Sequence, residues 1–134
     1  MAWLTDLSFA ALDDSGALIG VLQSWPVALH GAQGGQTPLV MVGPVAVVPD
    51  LQLGGIGRAL MDKLIETVDA PGDTLHPPIV MIGDPEYYGR FWGFAAHGTD
   101  QWDLPGPVER RRLLVRGPAD MHLAAQGRLG PRER

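Results

Sequence analysis

The apolar residues of this 134-residue chain change their spacing near its middle. Residues 45–48 are small or β-branched apolar residues, which predicts a strand. Pro49 ends that strand, because proline cannot donate a ladder hydrogen bond. From Ile56 onward the apolar residues recur every four positions. They are Leu60, Leu64 and Val68. This spacing predicts one face of a helix that ends before the Pro-Gly pair 71–72.

The remaining apolar runs predict a small mixed sheet. Two limbs around the turn 13–16 predict a β-hairpin over residues 7–29. The other predicted strands are 38–48, 79–82 and 112–116, and residues 94–97 and 101–104 form two weak strands or one bent strand. A short helix that carries residues 86–92 is predicted to be capped by residues 83–85, with Pro85 at its first position. A helical crossover joins strand 38–48 to strand 79–82, so these two are expected to be neighbouring and parallel. The expected fold class is α/β or α+β, with a mixed, largely antiparallel sheet and few helices.

Length and composition exclude several classes of protein. The chain length suits a single domain spanning residues 1–134. Because there are no cysteines, disulfides and thiolate metal sites are excluded, and no His/Asp cluster has metal-ligand spacing, so we expect no metal. No apolar run approaches the length of a membrane span, and the first residues lack a basic signal-peptide start. We therefore expect a cytoplasmic protein with no membrane partner.

The charges are unevenly distributed. The net charge is −5, yet seven of the ten basic residues are arginines that follow residue 108. A basic segment of this kind can bind nucleic acid, but no aromatic residues are interleaved with the arginines as single-strand binding requires. We therefore interpret them as solvated side chains, expect no nucleic-acid partner, and expect a loosely ordered basic tail over residues 117–134.

The segment between the central strand and its helix predicts an anion site. It contains three glycines at 54, 55 and 57, followed by Arg58. The first N–H groups of a helix have no internal partner and lie at the positive end of the helix dipole. Glycine has no side chain and therefore lets a phosphate approach these groups closely. We expect residues 53–58 to hold a phosphate or pyrophosphate. The alternative is a glycine turn that only connects strand and helix.

The glycine spacing selects among phosphate-binding families. A Walker loop needs Gly-Lys-Ser/Thr, and a dinucleotide fingerprint needs a third glycine where Leu60 stands. The segment 52–57 instead resembles the Gln/Arg-x-x-Gly-x-Gly/Ala signature of the GNAT superfamily of N-acetyltransferases. That resemblance implies the acyl-CoA N-acyltransferase fold with a splayed strand pair. It also implies a CoA site made by strand residues Val45, Ala46 and Val47 and by turn residues Gln52, Leu53, Gly54, Gly55, Ile56, Gly57 and Arg58.

A second segment supports the resemblance. Residues 83–94, Gly-Asp-Pro-Glu-Tyr-Tyr-Gly-Arg-Phe-Trp-Gly-Phe, are similar to a Gly-Asp-Pro-x-Tyr-Tyr-x-Arg-Phe-Gly-Phe segment of one bacterial GNAT subgroup, as are residues 104–114 further on. Trp92 stands out as an extra residue. The chain also begins almost at the hairpin, whereas family members usually begin with a strand and two helices that form the acceptor side.

The resemblance implies a direct attack of an amine on the acetyl thioester of acetyl-CoA. The proton for the leaving thiolate is expected from Tyr88, with Tyr87 as the second candidate. Asp84, His30 and His76 are the candidates for the base, and a water chain is the alternative. There is no cysteine and no Gly-x-Ser-x-Gly elbow, which argues against a covalent intermediate.

Two functions follow from this interpretation. The first is an acetyl-CoA-dependent N-acetyltransferase acting on a small amine or a protein amine. The second is a non-catalytic acyl-CoA-binding or dimerisation module without a working acceptor site. In either case we expect a homodimer, because the N-terminal end carries apolar residues that a second subunit would cover; the alternative is that the N-terminal residues fold back over the exposed face. These residues are Trp3, Leu4, Leu7 and Phe9.

Overall fold

A computed structural model describes residues 2–51, 54–71, 76–104, 106, 109–117 and 123–133. In these ranges the chain forms seven strands and two α-helices. They are β1 (Phe9–Leu12), β2 (Leu18–His30), β3 (Gln36–Val47), α1 (Ile56–Asp69), β4 (Ile79–Ile82), α2 (Pro85–Trp92), β5 (Gln101–Asp103), β6 (Leu113–Arg116) and β7 (Gln126–Pro131). Neither described helix has the length and apolar character needed to span a bilayer.

The chain divides into two compact units. The sheet unit contains Pro26–Met41 and Pro77–Arg134, and the helix unit contains Ala2–Trp25 and Val42–His76. Strands β2 and β3 each contribute one part to each unit.

The sheet unit holds most of the strand pairing. Its strand order is β5-β7-β2-β3-β4-β6. β3 and β4 are neighbours, as predicted for strands joined by a helical crossover. β4 pairs antiparallel with β6 and β7 pairs antiparallel with β2, whereas β5 and β7 run parallel. The core of this unit is a cluster of apolar side chains. They are Val27, Leu29, Leu39, Val80, Trp102, Leu113, Val115 and Leu129.

The helix unit consists of the N-terminal hairpin, the end of β3, and α1. The predicted hairpin is confirmed: β1 pairs antiparallel with β2, with Phe9 opposite Leu22. The predicted helix is confirmed as well, since α1 runs from Ile56 to Asp69 and packs against β1. Its buried side chains are Leu60, Met61 and Leu64. The four-residue spacing of its apolar positions thus builds the core of this unit.

The C-terminal segment differs from the expected loose tail. Residues 126–131 form β7, which lies between β2 and β5, so β6 is not the last strand. Arg132 extends the attachment by donating to the carbonyl oxygens of Val27 at 3.2 Å and Leu39 at 2.7 Å. The segment Gln-Gly-Arg-Leu-Gly-Pro buries a single large apolar side chain, Leu129, and is held by backbone pairing. A hydrophobic pattern therefore cannot reveal it.

Candidate active site

The glycine turn lies in the helix unit, where it leads from β3 into α1. Pro49–Leu51 forms a 3₁₀ turn, and Gly54 then donates its N–H to the Leu51 carbonyl oxygen at 3.0 Å. Gly55 is the N-cap of α1 with φ 82°, a left-handed conformation that favours glycine. Gly55 has no side chain, so the N-cap residue itself supplies no side-chain acceptor for the N–H groups at this helix start.

Two parts of the predicted CoA site, the end of β3 and the start of α1, lie close together within this unit. Val45, Ala46 and Val47 are the last residues of β3, and the Ala46 side chain is exposed. A β-carbon at Gly57 would lie 3.8 Å from Cγ2 of Val47, so the first turn of α1 lies close to the end of β3. The remaining turn residues were also predicted as ligands. Ile56 is half-buried and Arg58 is exposed, while Gln52 and Leu53 lie outside the described residues.

The two tyrosines lie in the sheet unit, on the first turns of α2. The helix begins where predicted, since Pro85 occupies its first position and Asp84 caps it by accepting the Glu86 N–H at 3.0 Å. Hydrogen bonds with Glu86, with smaller contributions from its neighbours, hold the pKa of the Asp84 carboxyl below its usual value. A carboxylate with a lowered pKa is a weak proton acceptor, so the position of Asp84 suits a helix cap better than a general base.

The Tyr88 ring is half-buried in an aromatic cluster. Its centroid lies 5.0 Å from that of Tyr87, 5.6 Å from that of Trp92 and 6.3 Å from that of Phe94. Burial raises the pKa of the Tyr88 hydroxyl, the neighbouring Tyr87 raises it further, and the Arg112 charge opposes the rise. Tyr88 therefore stays protonated at neutral pH, as a proton donor must be. Tyr87 is 39% exposed and lies nearer to solvent.

Trp92, the extra residue of the sequence comparison, belongs to the interior of the sheet unit. It is the last residue of α2 and is only 7% exposed. Gly93 follows at φ 78° and ends the helix through hydrogen bonds to the carbonyl oxygens of Gly89 and Tyr88. Trp92 thus lies at the C-terminal end of α2, four residues beyond Tyr88.

Neither candidate histidine belongs to α2, the helix that carries the two tyrosines. His30 ends the long strand β2, and its Nε2 lies 2.8 Å from the Pro131 carbonyl oxygen of the neighbouring strand. His76 is half-buried and belongs to the helix unit. That either histidine acts as the general base remains a prediction.

Two residues near Tyr88 were not predicted. A β-carbon at Gly83 would lie 2.5 Å from Cε2 of Tyr88, so the ring rests directly on this glycine. Arg112 is half-buried, and its charge acts on the Tyr88 hydroxyl. Gly83 belongs to the segment 83–94 and Arg112 to the segment 104–114, which both support the family resemblance, but the sequence gives neither residue a role beside Tyr88.

Solved structures provide the comparison with known proteins. No protein-family model matches the sequence, and no curated protein matches it. The GNAT family N-acetyltransferase YhbS from Escherichia coli, solved in complex with CoA, is similar over 91% of this chain and 64% of its own, with 27% identity and a TM-score of 0.64. A GNAT family acetyltransferase from Brucella melitensis, in complex with acetyl-CoA, is similar over 93% of this chain and 65% of its own, with 29% identity and a TM-score of 0.59.

A third structure, Eis1 from Mycobacterium abscessus, has 21% identity and a TM-score of 0.50 over 66% of this chain and 22% of its own, and adds only a likeness of fold. The chain spans slightly less than two thirds of the Escherichia coli and Brucella proteins. Because these two proteins share both the fold and more than a quarter of the aligned residues with it, the chain belongs to the GNAT superfamily of N-acetyltransferases.

Proposed function

We propose that the protein is an acetyl-CoA-dependent N-acetyltransferase that acts on a small amine or a protein amine. The observation that carries the proposal is the alignment of two GNAT proteins, solved with CoA and with acetyl-CoA, over more than nine tenths of this chain. A glycine turn of the GNAT signature stands at the start of α1 and supports the same assignment.

Gly57 provides a local argument that the turn binds a ligand. Among the described residues outside its own helix, the atom nearest to a β-carbon at this position would be Cγ2 of Val47 at 3.8 Å, and the φ of Gly57 lies outside the left-handed region. Neither this packing nor the backbone conformation requires glycine. Glycine within the first turn also lowers helix stability relative to alanine. A pyrophosphate placed against the N–H groups of α1 explains the absence of a side chain there.

The reaction we propose is a direct acyl transfer. The amine nitrogen attacks the acetyl carbonyl carbon, the backbone of Val45–Val47 positions the thioester, and the carbon–sulfur bond breaks with its electron pair on sulfur. Tyr88 donates its proton to that thiolate, which yields free CoA. The new amide nitrogen loses a proton to water, and water returns a proton to Tyr88, so protons balance over the cycle.

A panel of amines tests the proposal. CoA release should be observed with at least one amine, and acetyl-CoA should raise the melting temperature of the protein. Tyr88→Phe should lower kcat by about 10²-fold or more while leaving acetyl-CoA affinity nearly unchanged, because the hydroxyl acts only in the transition state. Binding of acetyl-CoA without turnover of any amine would favour a non-catalytic CoA-binding module. The absence of both would refute the proposal.

We also propose that the protein forms a homodimer through the helix unit. Trp3 is 51% exposed, and Leu12 and Leu18, which face each other across the hairpin, are 60% and 56% exposed. Leu7, which we expected at this surface, is buried instead. Light scattering at tens of micromolar should give the dimer mass, and Leu12→Glu should give a monomer. A monomer mass for the unaltered protein would refute the dimer.

A further inference from the structure

Three consecutive arginines precede β6, and two of them have carboxylate partners. Arg110 lies 3.7 Å from a carboxylate oxygen of Asp103, and Arg111 lies 3.3 Å from one of Glu86. The Arg112 side chain is half-buried, yet it has no carboxylate within ion-pair distance in the part of the chain that the structure describes. A partly desolvated guanidinium without a counter-charge needs an explanation, because exposed arginines on the same turn are paired.

The backbone of Arg112 is fixed against the glycine on which the Tyr88 ring rests. The Gly83 N–H donates to the Arg112 carbonyl oxygen at 2.9 Å, one residue beyond the Ile82–Leu113 pair of β4 and β6. A β-carbon at Gly83 would lie 2.5 Å from Cε2 of Tyr88. Arg112 and Tyr88 thus contact the same residue from two different elements.

The charges around the Tyr88 hydroxyl act in opposite directions. Burial raises the pKa of this hydroxyl most, and Tyr87 and the Asp84 carboxylate on the same helix raise it further. Arg112, which precedes β6, lowers it. Arg111 and Glu86 form an exposed pair beside Asp84. Of these groups, Arg112 is the cation that favours a negative charge on Tyr88.

We propose that Arg112 is a positioning residue of this site, whose guanidinium stabilises the negative charge that Tyr88 acquires when it donates its proton. The inference rests on the proposed acetyl transfer. As the S–H bond of CoA forms, the O–H bond of Tyr88 breaks and leaves its electron pair on the phenolate oxygen. A cation on a residue whose backbone is held at Gly83 stabilises this charge with little reorganisation, and the charge disappears when water returns the proton.

The ionisation of Tyr88 tests the inference without any substrate. The chain has two tyrosines, so Tyr87→Phe leaves Tyr88 as the single one, and incorporated meta-fluorotyrosine reports its ionisation by fluorine NMR. Arg112→Met in this background should raise the pKa of Tyr88 by about one unit, since a nearby opposite charge lowers the pKa of an acid by about that amount. Arg112→Lys should retain most of the effect. Arg111→Met is the matched control and should shift the pKa by less than about 0.3 unit, because that charge is exposed and screened.

Turnover provides a second readout. Arg112→Met should lower kcat by up to about tenfold, the equivalent of one pKa unit, and should move the alkaline fall of the kcat profile to higher pH. In a Tyr88→Phe background it should lower kcat no further. An unchanged Tyr88 pKa in Arg112→Met, or an equal rise in Arg112→Lys, would overturn the inference even if the enzyme is active. If the pKa of Tyr88 shifts as expected but the protein acetylates no amine, the effect of Arg112 on Tyr88 is supported and the proposed function is refuted.

Discussion

A single methyl group at Gly83 should displace the ring of Tyr88. The β-carbon of an alanine there would lie 2.5 Å from Cε2 and 2.7 Å from Cδ2 of the ring, whereas carbon atoms pack at about 3.5–4.0 Å. The ring must therefore move by about 1 Å, against Trp92 and Phe94 on its other sides. Gly83 has no left-handed φ, so alanine fits its backbone and the cost comes from the ring.

The size of the effect follows from this overlap. Inserting a methyl group into a packed site typically costs about 1–3 kcal/mol, and we expect Gly83→Ala to lower the free energy of unfolding by that amount. A displacement of about 1 Å at a reacting group also lowers kcat by up to about 10²-fold. The affinity for acetyl-CoA should stay nearly unchanged, because the substitution alters no residue of the glycine turn.

A double-mutant cycle measures the contact directly. Urea unfolding followed by circular dichroism gives the free energy of unfolding of four proteins: the unaltered chain, Gly83→Ala, Tyr88→Ala and the double variant. Once the ring is absent, Gly83→Ala should lower the free energy of unfolding by less than about 0.5 kcal/mol, so the two residues should be coupled by about 0.5 kcal/mol or more. If Gly83→Ala lowers the free energy of unfolding equally with and without the Tyr88 ring, the alanine does not clash with that ring.

A matched control separates the contact from the general effect of losing a glycine. For Gly35, the described part of the chain beyond its two neighbours places no atom within 4 Å of a β-carbon, and Gly35 has no left-handed φ. Gly35→Ala should therefore change the free energy of unfolding by less than about 0.5 kcal/mol. A larger loss at Gly35 would mean that the cost at Gly83 cannot be attributed to Tyr88.

Three further variants address the turn, the core and the helix cap. Gly57→Ala should raise the free energy of unfolding by up to about 1 kcal/mol, because alanine favours the helix, yet weaken acetyl-CoA binding in a calorimetric titration; unaltered affinity would contradict the pyrophosphate site. Leu64→Ala should lower the free energy of unfolding by about 2–5 kcal/mol in urea, since Leu64 is fully buried, and a loss below 1 kcal/mol would contradict its place in the core. Asp84→Ala should lower the melting temperature at neutral pH. The folded-state pKa of Asp84 is lowered from 3.8, so its stabilisation is present above that value and disappears as the pH falls through the folded pKa. A difference in melting temperature that persists in strong acid would contradict this origin.

The predictable parts of the fold are those with local causes. The four-residue spacing from Ile56 and the Pro-Gly pair beyond Asp69 define α1 by themselves, because only a helix places those apolar residues on one face. Asp84 and Pro85 likewise determine the start of α2, since one supplies an acceptor for a free N–H and the other needs none.

The parts that were missed depend on contacts between distant residues. β7 contains two glycines and a proline, and it becomes a strand only because β2 and β5 offer it backbone partners. Tyr88 could be selected from its motif, but its environment could not be derived. Gly83 lies just before α2, and the pairing of β4 with β6 brings Arg112 to Gly83 from a distant part of the chain, which no pattern around Tyr88 encodes. The division of β2 and β3 between two units has the same origin.

The position of β7 has a consequence for how the chain folds. His30 and its hydrogen-bond partner Pro131 are 101 residues apart in sequence, so this part of β2 is synthesised long before its partner. Loop closure over such a distance is slow, and until it happens β2 presents unpaired backbone groups that other strands can bind. We expect the last step of folding to be the docking of β7, and the nascent chain to aggregate most readily just before it. A chain truncated before residue 126 should give much less soluble protein at low temperature than the full chain. Equal soluble yields of the two chains would contradict this order of folding.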